Sequence, residues 1–135
     1  MEDCIFCKIV RGEAESWKVY EDECVYAFLD INPVNEYHTL VIPKKHYENI
    51  FDTPEEELTK LISIVKRITT LYSTKFGINN VQIVNSSGSE AQQDVFHVHF
   101  HVVPRKLGDN QDVKWITHPE WRVKFDQLLS DLSIW

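Results

Sequence analysis

Three of the six histidines in this chain stand at 97, 99 and 101, in the run His97-Val98-His99-Phe100-His101-Val102-Val103. On an extended backbone alternate side chains share a face, roughly 6–7 Å apart. The three imidazoles would then line one side, while Val98, Phe100 and Val102 anchor the other side in a core. Imidazole serves as nucleophile, proton carrier or metal ligand at neutral pH. Neighbouring imidazoles repel one another when charged and pack no better than Thr or Val, so three on one face point to chemistry. The pattern alone leaves nucleophile and metal site both open. A second chemical feature is Cys4-Ile5-Phe6-Cys7. In an intracellular chain this spacing points to metal or redox chemistry rather than to a disulfide framework. A structural zinc needs four ligands, so two more would be required. Cys24, beside Val25-Tyr26-Ala27-Phe28, reads as a small buried residue.

The elements that must position these groups belong to a chain of 135 residues, enough for one domain with a substantial core. There is no linker, repeat or low-complexity tract, so a single domain is expected over 1–135. The formal charge of −7, from 14 basic and 21 acidic residues, argues against a nucleic-acid groove or an anionic membrane surface as partner. No run approaches the ~18 apolar residues of a membrane span. The opening Met1-Glu2-Asp3-Cys4 is acidic where a secretory leader would be basic, so a cytoplasmic location is expected.

Strands are expected over Trp17–Tyr20, Val25–Leu29, His38–Pro43, Asn80–Asn85 and Phe96–Val103, from their β-branched and aromatic content and the turns between them. Thr53-Pro54-Glu55-Glu56 predicts a helix start, with Thr53 as N-cap, Pro54 at N1 and Glu56 closing a capping box. Leu58, Leu61, Ile62, Val65, Ile68, Tyr72 and Phe76 continue that helix as an apolar stripe, and Gly77 caps its end. A last helix is expected from about Pro119, with Trp121, Phe125, Leu128, Leu129 and Leu132 on one face. Sequential strands interrupted by one long helix predict an α+β fold with an antiparallel sheet.

Residues 97–103 match at every position the pattern His-φ-His-φ-His-φ-φ, where φ is apolar. Further matches follow in order: Cys4-Ile5-Phe6-Cys7-Lys8-Ile9, Phe28-Leu29-Asp30-Ile31-Asn32-Pro33, His38-Thr39-Leu40-Val41-Ile42-Pro43-Lys44-Lys45-His46 and Gln93-Asp94-Val95. Over about Cys4 to Arg105 the chain resembles the Hint branch of the histidine triad (HIT) superfamily. Residues 106–135, with the last helix, lie outside that shared core. The resemblance implies a HIT-like fold of five antiparallel strands, one long helix and a C-terminal helix. It also implies a homodimer in which two sheets join into one.

The implied activity is hydrolysis at the α-phosphorus of a purine nucleoside phosphoramidate, of the adenosine monophosphoramidase type. His99 would be the nucleophile, forming a nucleotidyl-histidine, and His101 would contact the phosphate. His38 would join the same imidazole network. Asp30 would hold the ribose hydroxyls, and Phe6, Ile9, Phe28, Leu29 and Ile31 the base. Asn85, Gln93 and the Val95 backbone would lie on the phosphate side. Cys4, Cys7, His46 and His97 would bind a structural zinc. Dinucleoside polyphosphate hydrolysis, or nucleotide binding or scaffolding with vestigial activity, are the alternatives. Two departures stand out. Gln92 occupies the place where the family often has Gly, and Asp94 the place where the Hint branch commonly has Ser. The loop before Gln93 also reads as about one residue longer. The C-terminal helix, with Trp115, Trp121 and Trp135 nearby, is expected to reach the partner's pocket.

Overall fold

The structure, a computed structural model, describes residues 3–133; Met1, Glu2, Ile134 and Trp135 lie outside the described residues. Five strands, β1 (Lys18–Glu21), β2 (Val25–Leu29), β3 (Thr39–Pro43), β4 (Val81–Val84) and β5 (Phe100–Pro104), form one sheet of order β1-β2-β3-β5-β4. Every neighbouring pair is antiparallel. The helices are α1 (Ile5–Val10), α2 (Glu55–Phe76) and α3 (Phe125–Leu132), with short 3-10 turns at Ser89–Ala91 and Pro119–Lys124. This is the expected α+β architecture. Among the described residues no helix is long and apolar enough to cross a membrane.

Strand alternation divides the core into two layers. On one face Val25, Ala27, Val41, Val98, Phe100 and Val102 pack under Leu61, Ile64, Val65, Ile68 and Tyr72 of α2. On the other, Tyr26, Phe28, Leu40 and Ile42 pack under Phe6 and Ile9 of α1. The valines and phenylalanine between the histidines therefore face α2, as their spacing predicted, and the imidazoles take the α1 side.

Three expectations need correction. The last strand starts at Phe100, not Phe96, because the preceding backbone is drawn elsewhere: Val98 N–H donates to the Tyr47 carbonyl at 2.7 Å. The capping box does not form. Thr53 Oγ1 donates to the Asn49 carbonyl at 2.6 Å, Pro54 is itself the N-cap, and three glutamates, Glu55 to Glu57, occupy the first turn, where the helix dipole favours them. In the α2 stripe Ile64 is buried, whereas Ile62 and Phe76 are exposed; position 62 is turned away from the seam of 61, 65, 68 and 72 by the helical repeat. Helix α1 adds to the expected elements, since six residues are too few for a periodic signal. Gly77 does cap α2, in the left-handed conformation at φ 71°.

Candidate active site

Cys4 is the N-cap of helix α1, and its sulfur accepts the Cys7 amide at 3.4 Å. That turn brings both thiols toward His97, just before β5, and His46, just after β3. Cys4 Sγ lies 3.4 Å and Cys7 Sγ 3.5 Å from His97 Nδ1, and Cys7 Sγ is 3.4 Å from His46 Nδ1. All four ligand atoms fall within 4.8 Å of one another. Zinc bond lengths of about 2.3 Å to sulfur and 2.0–2.1 Å to nitrogen give S···N edges of about 3.5 Å in a tetrahedron. The cage thus has the dimensions of a closed tetrahedral site.

The protonation states agree. Burial pushes His97 down to about 4, so its ring is neutral at physiological pH. Its Nε2 meets the Pro43 carbonyl at 2.8 Å and must donate there, leaving Nδ1 as a lone pair aimed at the thiols. Burial, and then the adjoining Cys4, pushes the Cys7 thiol up, a cost that a bound cation would reverse.

A second group, Asp30, His38 and His101, also gathers its ligand atoms within 4.8 Å. It is unsuited to a metal. The Val34 amide donates to His38 Nδ1 at 3.1 Å, so the neutral ring carries its proton on Nε2 and offers no lone pair there. That Nε2–H instead donates to His101 Nδ1 at 2.9 Å. The consequence propagates: His101 carries its own proton on Nε2, as a free donor. Burial pushes His101 down to about 4, with His99 and His38 adding to the effect. Burial lowers His38 as well, against the pull of Asp30, whose Oδ2 is 3.5 Å away.

His99 has the opposite tautomer. Its Nδ1 lies 2.8 Å from the His97 carbonyl, to which it must donate, leaving the Nε2 lone pair unprotonated. Asn85 Nδ2 braces this stretch by donating to the His99 carbonyl at 3.0 Å. Phe6 presents its ring to His99 edge-on, 5.3 Å between centroids at 89°. The rings of His99 and His101 are 5.0 Å apart. A lone pair and an N–H donor therefore stand side by side, an arrangement suited to attack on a phosphorus whose oxygen accepts a hydrogen bond.

Both rings line a cleft of about 220 Å³, whose walls include Phe6, Ile9, Phe28, Asp30, Ile31 and Val95. Ile5, Glu15, Asn32, Leu40 and Asp94 complete it. Leu40 was legible in principle, since it pairs with Phe28 across β2 and β3; Glu15 carries no sequence signal. A wider cavity of about 540 Å³, between the end of α2 and the end of β5, is lined by neither histidine nor cysteine.

Several expected residues lie elsewhere. Leu29 does not line the cleft, because strand alternation turns it to the face opposite Phe28. Asn85 and His38 do not line the cleft; Asn85 bonds the His99 carbonyl and His38 Nε2 meets His101 Nδ1. Gln93 is buried and its amide is spent on the backbone: Nε2 donates to the Glu48 and Val95 carbonyls, and Oε1 accepts from Gly88. The Val95 N–H is held by Asp94 Oδ1 at 2.9 Å.

Comparison with known proteins agrees with this geometry. The HIT domain family matches residues 11–108. An uncharacterized HIT-like protein of Methanocaldococcus jannaschii is 52% identical over 112 residues, covering 83% of this chain and 86% of that one. A Saccharomyces cerevisiae protein named adenosine 5'-monophosphoramidase is 38% identical, over 93% of this chain and 75% of its own. An Arabidopsis thaliana protein named adenylylsulfatase is 36% identical, over 96% and 66%. A solved Streptococcus mutans structure superposes with a TM-score of 0.91 at 39% identity, covering 98% of this chain and 84% of that one. A zinc-bound histidine triad family protein of Mycobacterium smegmatis gives 0.78 at 36% identity, over 96% and 98%. Sequence, fold and site converge, and the chain belongs to the HIT family.

Proposed function

We propose that this protein hydrolyses purine nucleoside phosphoramidates at the α-phosphorus through a nucleotidyl intermediate on His99. The observation that carries the reading is the paired tautomers: His99 with a free Nε2 lone pair, His101 with a free Nε2–H, in one cleft. His99 Nε2 attacks phosphorus, and the N–P bond forms as the bond to the leaving amine breaks. The amine takes up a proton and departs. The imidazole becomes cationic as it bonds to phosphorus, and the His97 carbonyl accepting from Nδ1 stabilises that charge. His101 donates to a phosphoryl oxygen. Water then attacks phosphorus from the vacated side, the P–Nε2 bond breaks, and the nucleoside monophosphate leaves. Phe6, Ile9, Phe28 and Ile31 supply an apolar slot for the base, and Asp30 accepts from the ribose hydroxyls.

Cys4, Cys7, His46 and His97 are the ligands for a zinc whose contribution is structural: it ties α1, which supplies Phe6, to the backbone that carries His99. The remaining elements of the proposal are a homodimer, formed by joining the exposed edges of two sheets, a single domain over 1–135 with its C-terminal helix as an extension, and residence in the cytoplasm. Strand β4 supports the first of these, as an edge strand with Ile83 and Val84 half-exposed. Dinucleoside polyphosphates are a poorer fit, since no Lys or Arg among the described residues lines the cleft to meet a longer anionic chain.

The test is single-turnover reaction with an adenosine phosphoramidate, followed by mass spectrometry. Adenylate on the peptide containing His99, and loss of turnover by about 10³-fold or more in folded His99→Ala, is the expected result. Tight nucleotide binding with no trapped intermediate and no turnover would replace the enzyme with a binding protein.

A further inference from the structure

The charge of the cleft is unusual for a site that receives a phosphoryl group. Three carboxylates line it, Glu15, Asp30 and Asp94, and no Lys or Arg among the described residues does. Asp30 is committed to one end: Oδ1 accepts the Asn32 amide at 2.8 Å, and Oδ2 lies 3.5 Å from His38 Nε2. Asp94 stands at the reacting end, with Oδ1 3.7 Å from His99 Nε2. That distance is too long for a hydrogen bond, so Asp94 does not cap the nucleophile. Its side chain is 79% exposed and sits at the solvent side of the nucleophile.

We propose that Asp94 sets leaving-group preference, favouring amines that carry a second, protonated nitrogen and opposing leaving groups that carry negative charge. The inference rests on the phosphoramidase reading of the same site. When His99 Nε2 bonds to phosphorus and the P–N bond breaks, the electron pair returns to the amine nitrogen, which takes a proton from solvent. A cationic group tethered to that amine stays within a Debye length of the Asp94 carboxylate, about 8–10 Å, and is attracted throughout. A tethered carboxylate is repelled over the same distance. At the effective dielectric of a partly exposed site, one unit charge is worth roughly three- to tenfold in rate.

The test measures kcat/KM for three adenosine phosphoramidates whose amines are matched in basicity and bear a distal ammonium, a neutral group or a carboxylate. Wild type should prefer the ammonium over the carboxylate substrate by about tenfold or more, with the neutral one between. The ratio should fall toward one in Asp94→Asn and Asp94→Ser, invert in Asp94→Lys, and shrink in wild type as salt is raised. Reading ratios within each variant separates charge selection from any general loss of rate. A ratio unchanged between wild type and Asp94→Asn overturns the role of Asp94 while leaving the enzyme reading intact. Absence of turnover by wild type on all three overturns the phosphoramidase reading, and this proposal with it.

Discussion

The Val34 amide donates to Nδ1 of His38 at 3.1 Å, and this single bond fixes the protons on two rings in succession. His38 becomes an Nε2–H donor to His101, and His101 in turn an Nε2–H donor to the cleft. His99 is set independently, by the His97 carbonyl, as the Nδ1–H form. Nitrogen-15 NMR of the side chains at neutral pH should therefore find His38 and His101 protonated on Nε2 and His99 on Nδ1. His38→Gln should lower kcat by roughly 10- to 100-fold, the scale on which outer groups that orient an imidazole act. An Nδ1–H signal from His101 in wild type would contradict the relay.

The metal cage makes a second prediction. Purified protein should carry one zinc per chain. His99→Ala and His101→Ala should keep it, because neither ring reaches the four ligand atoms; Cys4→Ala and Cys7→Ser should lose it. Loss of the metal frees α1 from the β5 side, so these cysteine variants should be less stable by about 3 kcal/mol or more, a fall in Tm of roughly 10 °C. Metal analysis beside thermal unfolding checks both. Zinc that departs with His99→Ala would move the ligand set into the triad.

These two sites show what a sequence can disclose. The spacing of His97, His99 and His101 places three imidazoles on one side, since alternation is a property of any extended chain, and the residues between them do face α2. Spacing does not separate their roles. That separation comes from backbone groups with no sequence signature: the Pro43 carbonyl that turns His97 toward the cysteines, the His97 carbonyl under His99, and the Val34 amide behind His38. The same limit explains the misplaced start of β5, where the Tyr47 carbonyl takes the Val98 amide, and the Thr53 hydroxyl diverted to Asn49. Resemblance alone points Gln93 and Leu29 toward the ligand. The fold spends the first on bracing its loop and turns the second to the opposite face of the sheet.

A third prediction concerns the loop before the triad. Gln92 follows the 3-10 turn Ser89–Ala91 with φ 71° and ψ 27°, a left-handed conformation. A side chain there costs about 1–2 kcal/mol, which Gly avoids at an entropic cost of roughly 0.5–1 kcal/mol in the unfolded chain. Gln92→Gly should thus stabilise the protein by about 0.5–1 kcal/mol, raising Tm by roughly 2–4 °C. Gln92→Ala, which keeps the Cβ, should give no such gain. Equal midpoints for the two variants in urea unfolding would show that the backbone conformation is not the source.

The last prediction follows from the depressed basicity of His101. In the unfolded chain it titrates near the ordinary histidine value of about 6.5, while burial holds it at about 4 in the fold. Between those values the unfolded state binds the extra proton, so stability falls as pH drops from about 6.5 and levels off below about 4. The gap corresponds to about 3 kcal/mol, present in full above 6.5 and lost at the acid end. His38, lowered by burial as well, acts in the same direction. Acid also acts on the proposed zinc ligands, so the quantity to measure is a difference: unfolding free energies of wild type and His101→Gln from pH 7.5 to 4.5. Wild type should lose more stability than the variant across that range, by roughly 2–3 kcal/mol. Parallel pH curves would mean that His101 is as easily protonated in the fold as in the open chain. The neutral Nε2–H donor assigned to it would then not persist under mildly acidic conditions.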